Sequence, residues 1–256
     1  MKWYPARFAC ALLVASTVVA HAQKDALPVL MLSFDEGSGK TAKDASGNGL
    51  DGTITGAKWA DGMHGQALDF NGVDDVVVVS DDPKLLLPDA GTLMVWSFIE
   101  TEAGHGSWPR IIIKASSNGG TTGMDLLFDR GLDYGIRFCI VDCDTIFSPV
   151  PTDTWVHVAV TYDGSDIVAY LDGEEVGTVP QRGAPLDTTG LDLHIGSGSA
   201  FDRPFDGKHD EVRIWDIALD AETVAWHMDT SSIEFLAVQP GGKSATTWAA
   251  VKSATR

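Results

Sequence analysis

Phe34-Asp35-Glu36-Gly37-Ser38-Gly39, then Asp44-Ala45-Ser46-Gly47-Asn48-Gly49, then Ala67-Leu68-Asp69-Phe70-Asn71-Gly72-Val73-Asp74-Asp75 punctuate the stretch from Leu32 to Asp81, and their reading decides the fold class. Gly, Asn, Asp and Ser in such clusters close turns, through positive φ or through side-chain bonds to the next backbone amides. The runs around them, Val29–Phe34, Gln66–Phe70 and Val76–Val79, are short and β-prone. The same rhythm continues through Thr92–Ile99, Arg110–Lys114, Met124–Phe128, Gly135–Ile140, Thr154–Tyr162, Asp166–Leu171, Glu174–Val179, Leu191–Gly196 and Lys208–Trp215. About a dozen strands at this spacing predict an all-β sandwich of one large domain. Ala221–His227 reads as a single short helix, with Asp220 as its N-cap.

Side chains alternate faces along a strand, so Val156, Val158, Val160 and Tyr162 share one face, and Ile167, Ala169 and Leu171 share another. In the last strand the same alternation puts Asp210 on the apolar side with Val212 and Ile214. An inward carboxylate is costly unless it meets backbone N–H groups or a cation.

Lys2 and Arg7, an apolar run from Phe8 to Ala20 and Ala20-His21-Ala22 fit a secretory signal over residues 1–22, removed with Cys10 inside it. The run is too short to cross a membrane, and no later segment is apolar enough, so no membrane span is expected. The chain carries 18 Lys+Arg against 36 Asp+Glu, and losing Lys2 and Arg7 takes its net charge from −18 to −20. Such a surface repels nucleic acid and anionic membranes. In an oxidising compartment Cys139 and Cys143 are expected to form a disulfide across a hairpin at Val141-Asp142. Beyond a domain spanning 23–232, Pro240-Gly241-Gly242 and Thr246-Thr247-Trp248 suggest a linker and short tail over 233–256.

Several blocks in one order carry a family resemblance: the opening turns, then Thr154-Trp155-Val156-His157-Val158-Ala159-Val160-Thr161-Tyr162-Asp163-Gly164, Tyr170-Leu171-Asp172-Gly173, Phe205-Asp206-Gly207 and Asp210-Glu211-Val212-Arg213-Ile214-Trp215. From Val29 to His227 the chain resembles a laminin-G-like domain. The resemblance implies a concanavalin A-like jelly roll of two antiparallel sheets with one C-terminal helix. It implies a secreted carbohydrate- or protein-binding module, at a bacterial surface or in a periplasm, more often than an enzyme; a structural adhesion unit is the plainer alternative. The C-terminal end resembles a tail on secreted marine bacterial proteins. The resemblance also implies a structural Ca2+ between an N-terminal loop and the last strand, at Asp35 or Asp44, Asn48 and Asp210.

Glycan hydrolases of related sandwiches need two carboxyls about 5–5.5 Å apart. No Glu here is followed two places later by Asp, and Glu100-Thr101-Glu102 is the nearest imitation, so a divergent hydrolase or lyase is the rival reading. His157 reads as a packed core histidine. Sugar rings stack on aromatic planes while forked donors bond their hydroxyls. Gly104-His105-Gly106-Ser107-Trp108-Pro109-Arg110 offers both, beside Ser117-Asn118-Gly119-Gly120, so His105, Trp108, Arg110 and Asn118 are the candidate glycan- or protein-binding residues.

Overall fold

The computed structural model describes residues 23–100, 108–115, 123–198 and 202–239. Sixteen strands form two antiparallel sheets of eight. The first runs β14 (Glu174–Pro180), β13 (Asp166–Leu171), β12 (Trp155–Tyr162), β7 (Gly91–Ile99), β16 (Asp206–Trp215), β5 (Gln66–Asn71) and β4 (Lys58–Asp61), with β1 (Leu30–Leu32) also on β16. The second runs β11 (Cys143–Phe147), β10 (Gly135–Cys139), β9 (Gly123–Asp129), β8 (Arg110–Ala115), β15 (Leu193–Ile195), β6 (Val76–Val79), β3 (Gly52–Thr55) and β2 (Thr41–Ala42). Each of the twelve expected segments is a strand; β2, β3, β4 and β11 are additional. They are short or polar, as Lys58-Trp59-Ala60-Asp61 shows, and register with a neighbour defines them better than their own pattern does.

The alternation works where it runs undisturbed. Val156, Val158, Val160 and Tyr162 of β12 pack with Leu93, Val95 and Ile99 of β7 between the sheets, and Ile167 and Ala169 join them. On the outer face of the first sheet, Met94, Ala159, Tyr170 and Trp215 pack with Leu219 and Val224. Val224 belongs to α1 (Ala221–Asp229), whose N-cap Asp220 accepts a bond from the Thr223 amide at 2.8 Å. A second helix, α2 (Ser232–Val238), begins at the start of the segment expected to be linker and tail. Ser231 and Glu234 form a reciprocal capping box there, and Phe235 is fully buried with its ring 5.1 Å from that of His227. The packed part therefore extends past 232.

Asp210 departs from its expected face. In β16 the register against β7 pairs Asp210 with Trp96 and Arg213 with Met94, so one residue is extra. Glu211 absorbs it in a bulge at φ 52. His209 points inward, its Nδ1 3.1 Å from Ser97 Oγ, whereas Asp210 lies with Trp96, Arg213 and Trp215 on the outer face of the first sheet. Helices and the β4–β5 turn cover that face, so Asp210 is still buried.

Candidate ligand cleft and carboxylate cluster

The outer face of the second sheet carries a different set of side chains. Arg110 opens β8 opposite Leu127 of β9, and Leu127 in turn faces Arg137 of β10, so the register brings both arginines to one side. The Arg110 guanidinium is almost wholly buried; its Nη1 donates to the Trp108 carbonyl at 2.9 Å and its Nε lies 2.8 Å from Asp125 Oδ1. That approach is close but not aligned with the N–H, so the contact is ionic rather than a hydrogen bond. Burial pushes the Asp125 carboxyl up to about 6, against the pull of Arg110 and, more weakly, Arg203 and Arg137. Arg137 Nη1 donates to Asp129 Oδ2 at 3.0 Å.

Trp108 remains 39% exposed, the expected property of a contact aromatic. Arg203 lies over its ring at 5.1 Å from the centroid, a cation–π contact of about 0.5–1 kcal/mol at a half-open site. The Arg203 backbone holds this pose. Its φ is 53, left-handed for a non-glycine residue, and its carbonyl accepts from the Arg110 amide at 3.1 Å. Trp108, Arg110, Leu127, Arg137, Cys143 and Arg203 line a cleft of about 230 Å³. The Cys139–Cys143 disulfide is formed, with S–S 2.03 Å and Cα atoms 4.1 Å apart.

Trp108 and Arg110 line one cleft, with Arg110 in its floor rather than at a loop tip. His105 and Asn118 lie outside the described residues. Arg137 and Arg203 were not legible in the sequence: the first is placed by strand register, the second by a backbone bond across more than 90 positions. Glu100 ends the loop side of β7 and Glu102 lies outside the described residues, so that carboxylate pair has no geometry to weigh. His157 is buried beside Trp96, and burial lowers it to about 3, which keeps it neutral.

The four residues expected around calcium divide into two places. Asp44 Oδ1 accepts from the amides of Met31 and Ser46 at 3.1 and 2.9 Å, and its Oδ2 accepts from Ser46 Oγ and the Leu50 amide at 2.8 and 3.0 Å. Asn48 Nδ2 donates to the Val29 carbonyl at 2.9 Å. Hydrogen bonds thus saturate the Asp44 carboxylate, a poor fit for a cation ligand. Asp35 and Asp210 instead converge on the β4–β5 turn, accepting from the Gln66 and His64 amides at 3.0 and 2.8 Å. The turn approaches so closely that a Cβ on Gly65 would fall 2.1 Å from Asp35 Oδ1 and one on Gly62 2.7 Å from Asp210 Oδ2. Burial raises Asp210 to about 8, offset in part by the His64 amide and reinforced by Glu211 and Asp35, and its Oδ1 has no hydrogen-bond partner among the described residues. This half fits a hard cation. Among the described residues no three His, Cys, Asp or Glu side chains are close enough to hold one alone, so backbone oxygens or water would complete the shell.

Two antiparallel sheets of this topology define a jelly-roll sandwich. The chain belongs to the family described as the concanavalin A-like lectin/glucanases superfamily, whose laminin-G-type model matches residues 71–225, more than half of the 256 residues. Mouse pappalysin-1 is 27% identical in an alignment of 192 positions that covers 66% of this chain but 11% of that protein. Domain 4 of AbnA, a GH43 extracellular arabinanase from Geobacillus stearothermophilus, solved with arabinotriose, superposes with TM-score 0.62 at 20% identity, covering 79% of this chain and 98% of that domain. The ligand-binding domain of botulinum neurotoxin serotype D, solved with N-acetylneuraminic acid, gives 0.61 at 14% identity, over 82% and 52%. At such identities these structures establish the fold. No helix among the described residues is long and apolar enough to cross a membrane.

Proposed function

We propose that this is a secreted carbohydrate-binding module without catalysis of its own, and that its ligand occupies the cleft at Trp108. The observation that carries the reading is the combination in one concavity of a 39%-exposed indole, apolar Leu127 and forked guanidinium donors. Ring faces stack on the first and ring hydroxyls bond the last. Related sandwiches solved with arabinotriose and N-acetylneuraminic acid support the class of ligand. A glycan array probed with the mature protein and with Trp108→Ala tests it. Wild-type signal should fall by the equivalent of about 1–3 kcal/mol in the variant, with the melting temperature unchanged. Normal binding with lost stability would make Trp108 a core plug.

A second reading rests on Asp210 Oδ1, which meets no hydrogen-bond criterion among the described residues although the Glu211 backbone approaches the carboxyl: a structural Ca2+ held by Asp35 and Asp210. Bound calcium would neutralise the repulsion among Asp210, Glu211 and Asp35. It stabilises the fold by mass action, about 2.7 kcal/mol at 100 times its dissociation constant. Excess chelator should lower the melting temperature of the wild type and leave Asp210→Asn unmoved. An equal response in both proteins removes Asp210 from the site.

A further inference from the structure

We infer that the sugar bound in the Trp108 cleft carries a carboxylate, held by Arg203 with Arg137; this rests on the carbohydrate reading above and specifies its ligand. The chain is strongly acidic and has eight arginines, yet three of them line one cleft of about 230 Å³. A neutral sugar requires donors, which Asn, Ser or backbone amides supply without gathering like charges. Asp125 and Asp129 offset the charges of Arg110 and Arg137, so among the described residues the guanidinium of Arg203 is the one without a carboxylate partner, and a bound anion would supply it.

The three are not equivalent. Arg110 is tied to Asp125 and to the Trp108 carbonyl, so it supports the floor. Arg137 spends Nη1 on Asp129, and its Nη2 is 3.5 Å from the Cys143 carbonyl, a long bond that leaves donor capacity toward the cleft. Arg203 has neither an ion pair nor a side-chain hydrogen bond among the described residues; its contact is the Trp108 ring. Asp202, its exposed chain neighbour, acts electrostatically on Arg110. The left-handed backbone at Arg203 thus goes with a guanidinium fork placed over the indole that would stack the sugar ring, without an ion pair or side-chain hydrogen bond among the described residues. A carboxylate matches that fork with two parallel bonds. The cleft has room for roughly one sugar ring, so a terminal acidic residue fits it better than the middle of a chain.

The test is calorimetric titration with two matched pairs, 3′-sialyllactose against lactose and trigalacturonic acid against its methyl ester, with hexaglutamate as a peptide source of carboxylate. The expected result is that at least one acid binds about tenfold or more tighter than its neutral twin, weakens with added salt, and loses that margin in Arg203→Ala and Arg137→Gln. Arg203→Lys keeps the charge without the fork and should recover part of the margin; it also serves if the alanine variant folds poorly. Equal binding of acid and twin, both lost in Trp108→Ala, overturns the carboxylate inference and leaves the carbohydrate reading standing. Binding of neither pair, with neutral glycans captured on the array through Trp108, does the same. Hexaglutamate bound as tightly as the sugars overturns it in favour of an acidic peptide, and no binding by any probe or array glycan removes both readings.

Discussion

The two outer faces of the sandwich both bury arginine, and they use it in opposite ways. On the first sheet Arg213 is 1% exposed and fully spent: Nε and Nη2 donate to Glu211 Oε2 at 3.2 and 2.8 Å, Nη1 to the His227 carbonyl at 3.2 Å, and Nη2 to the Thr230 carbonyl at 2.6 Å. Glu211 also accepts from the Ser232 amide at 2.8 Å and from Ser232 Oγ, so one ion pair ties α1 and α2 to β16. On the outer face of the second sheet Arg203 sits half-buried above Trp108, with no ion pair or side-chain hydrogen bond among the described residues. A guanidinium saturated by carbonyls and a carboxylate is a structural staple, whereas one that lines a cleft without such partners among the described residues suits the proposed ligand role. Both helices pack on the first face, where Arg213 and Glu211 bond to them; among the described residues the second face carries the cleft with its arginines.

The largest effect should come from breaking the saturated side. Arg213→Ala strands the buried Glu211 carboxylate and frees three carbonyl and carboxylate acceptors, which should cost about 3–5 kcal/mol in urea unfolding. Proteolysis should then begin around α2, while the folded fraction keeps its ligand affinity. Arg203→Ala should show the reverse, with an unfolding midpoint close to wild type and an altered affinity. Similar stability losses in both variants would erase the distinction between the faces.

The same contrast explains how much the sequence discloses. Turn clusters and apolar alternation locate the long strands, because both signals are local. The outer face of the first sheet misleads where β16 bulges: Glu211 at positive φ reverses the side on which Asp210 falls, and a glutamate gives no sign of it in advance. The helix at Ser232–Val238 follows a legible Ser231 and Glu234 capping pair, yet the Pro and Gly beyond it dominate the reading of that end. In the cleft, Trp108 and Arg110 are legible as neighbours in a loop. Arg137 and Arg203 reach them through the β8–β9–β10 register and a bond between distant backbones, neither of which has a local signature.

The smaller expected effect is a pH profile that separates the groups of the two faces. His157 of the first sheet and His227 of α1, with His209 in the core, are lowered by burial from 6.5 to about 3. Below 6.5 the unfolded chain binds protons that the folded chain refuses, so these histidines destabilise the fold as pH falls toward 3. Asp210 acts on the other side. Its folded value of about 8 lies above 3.8, so the proton it retains stabilises the fold at low pH, and that contribution is lost as pH rises from about 4 to 8. Asp125 in the cleft does the same between 3.8 and about 6. On the acid side the three histidines are opposed by Asp210, Asp125 and the other carboxyls that burial raises, Asp35, Asp69 and Asp75; between 6.5 and 8 the proton retained by Asp210 acts with the sign opposite to the histidines. Stability in excess chelator should therefore fall as pH rises from 6.5 toward 8, by about 1.4 kcal/mol per pH unit. Asp210→Asn should flatten the alkaline limb and, between about pH 4 and 6, shift the slope by one proton in favour of the histidines, because its retained proton opposes them there. Calcium should flatten it as well, since a carboxylate bound to a cation is already ionised. An alkaline limb that persists in Asp210→Asn would assign it to another carboxyl, and Asp35, raised chiefly by burial beside the same turn, is the next to substitute.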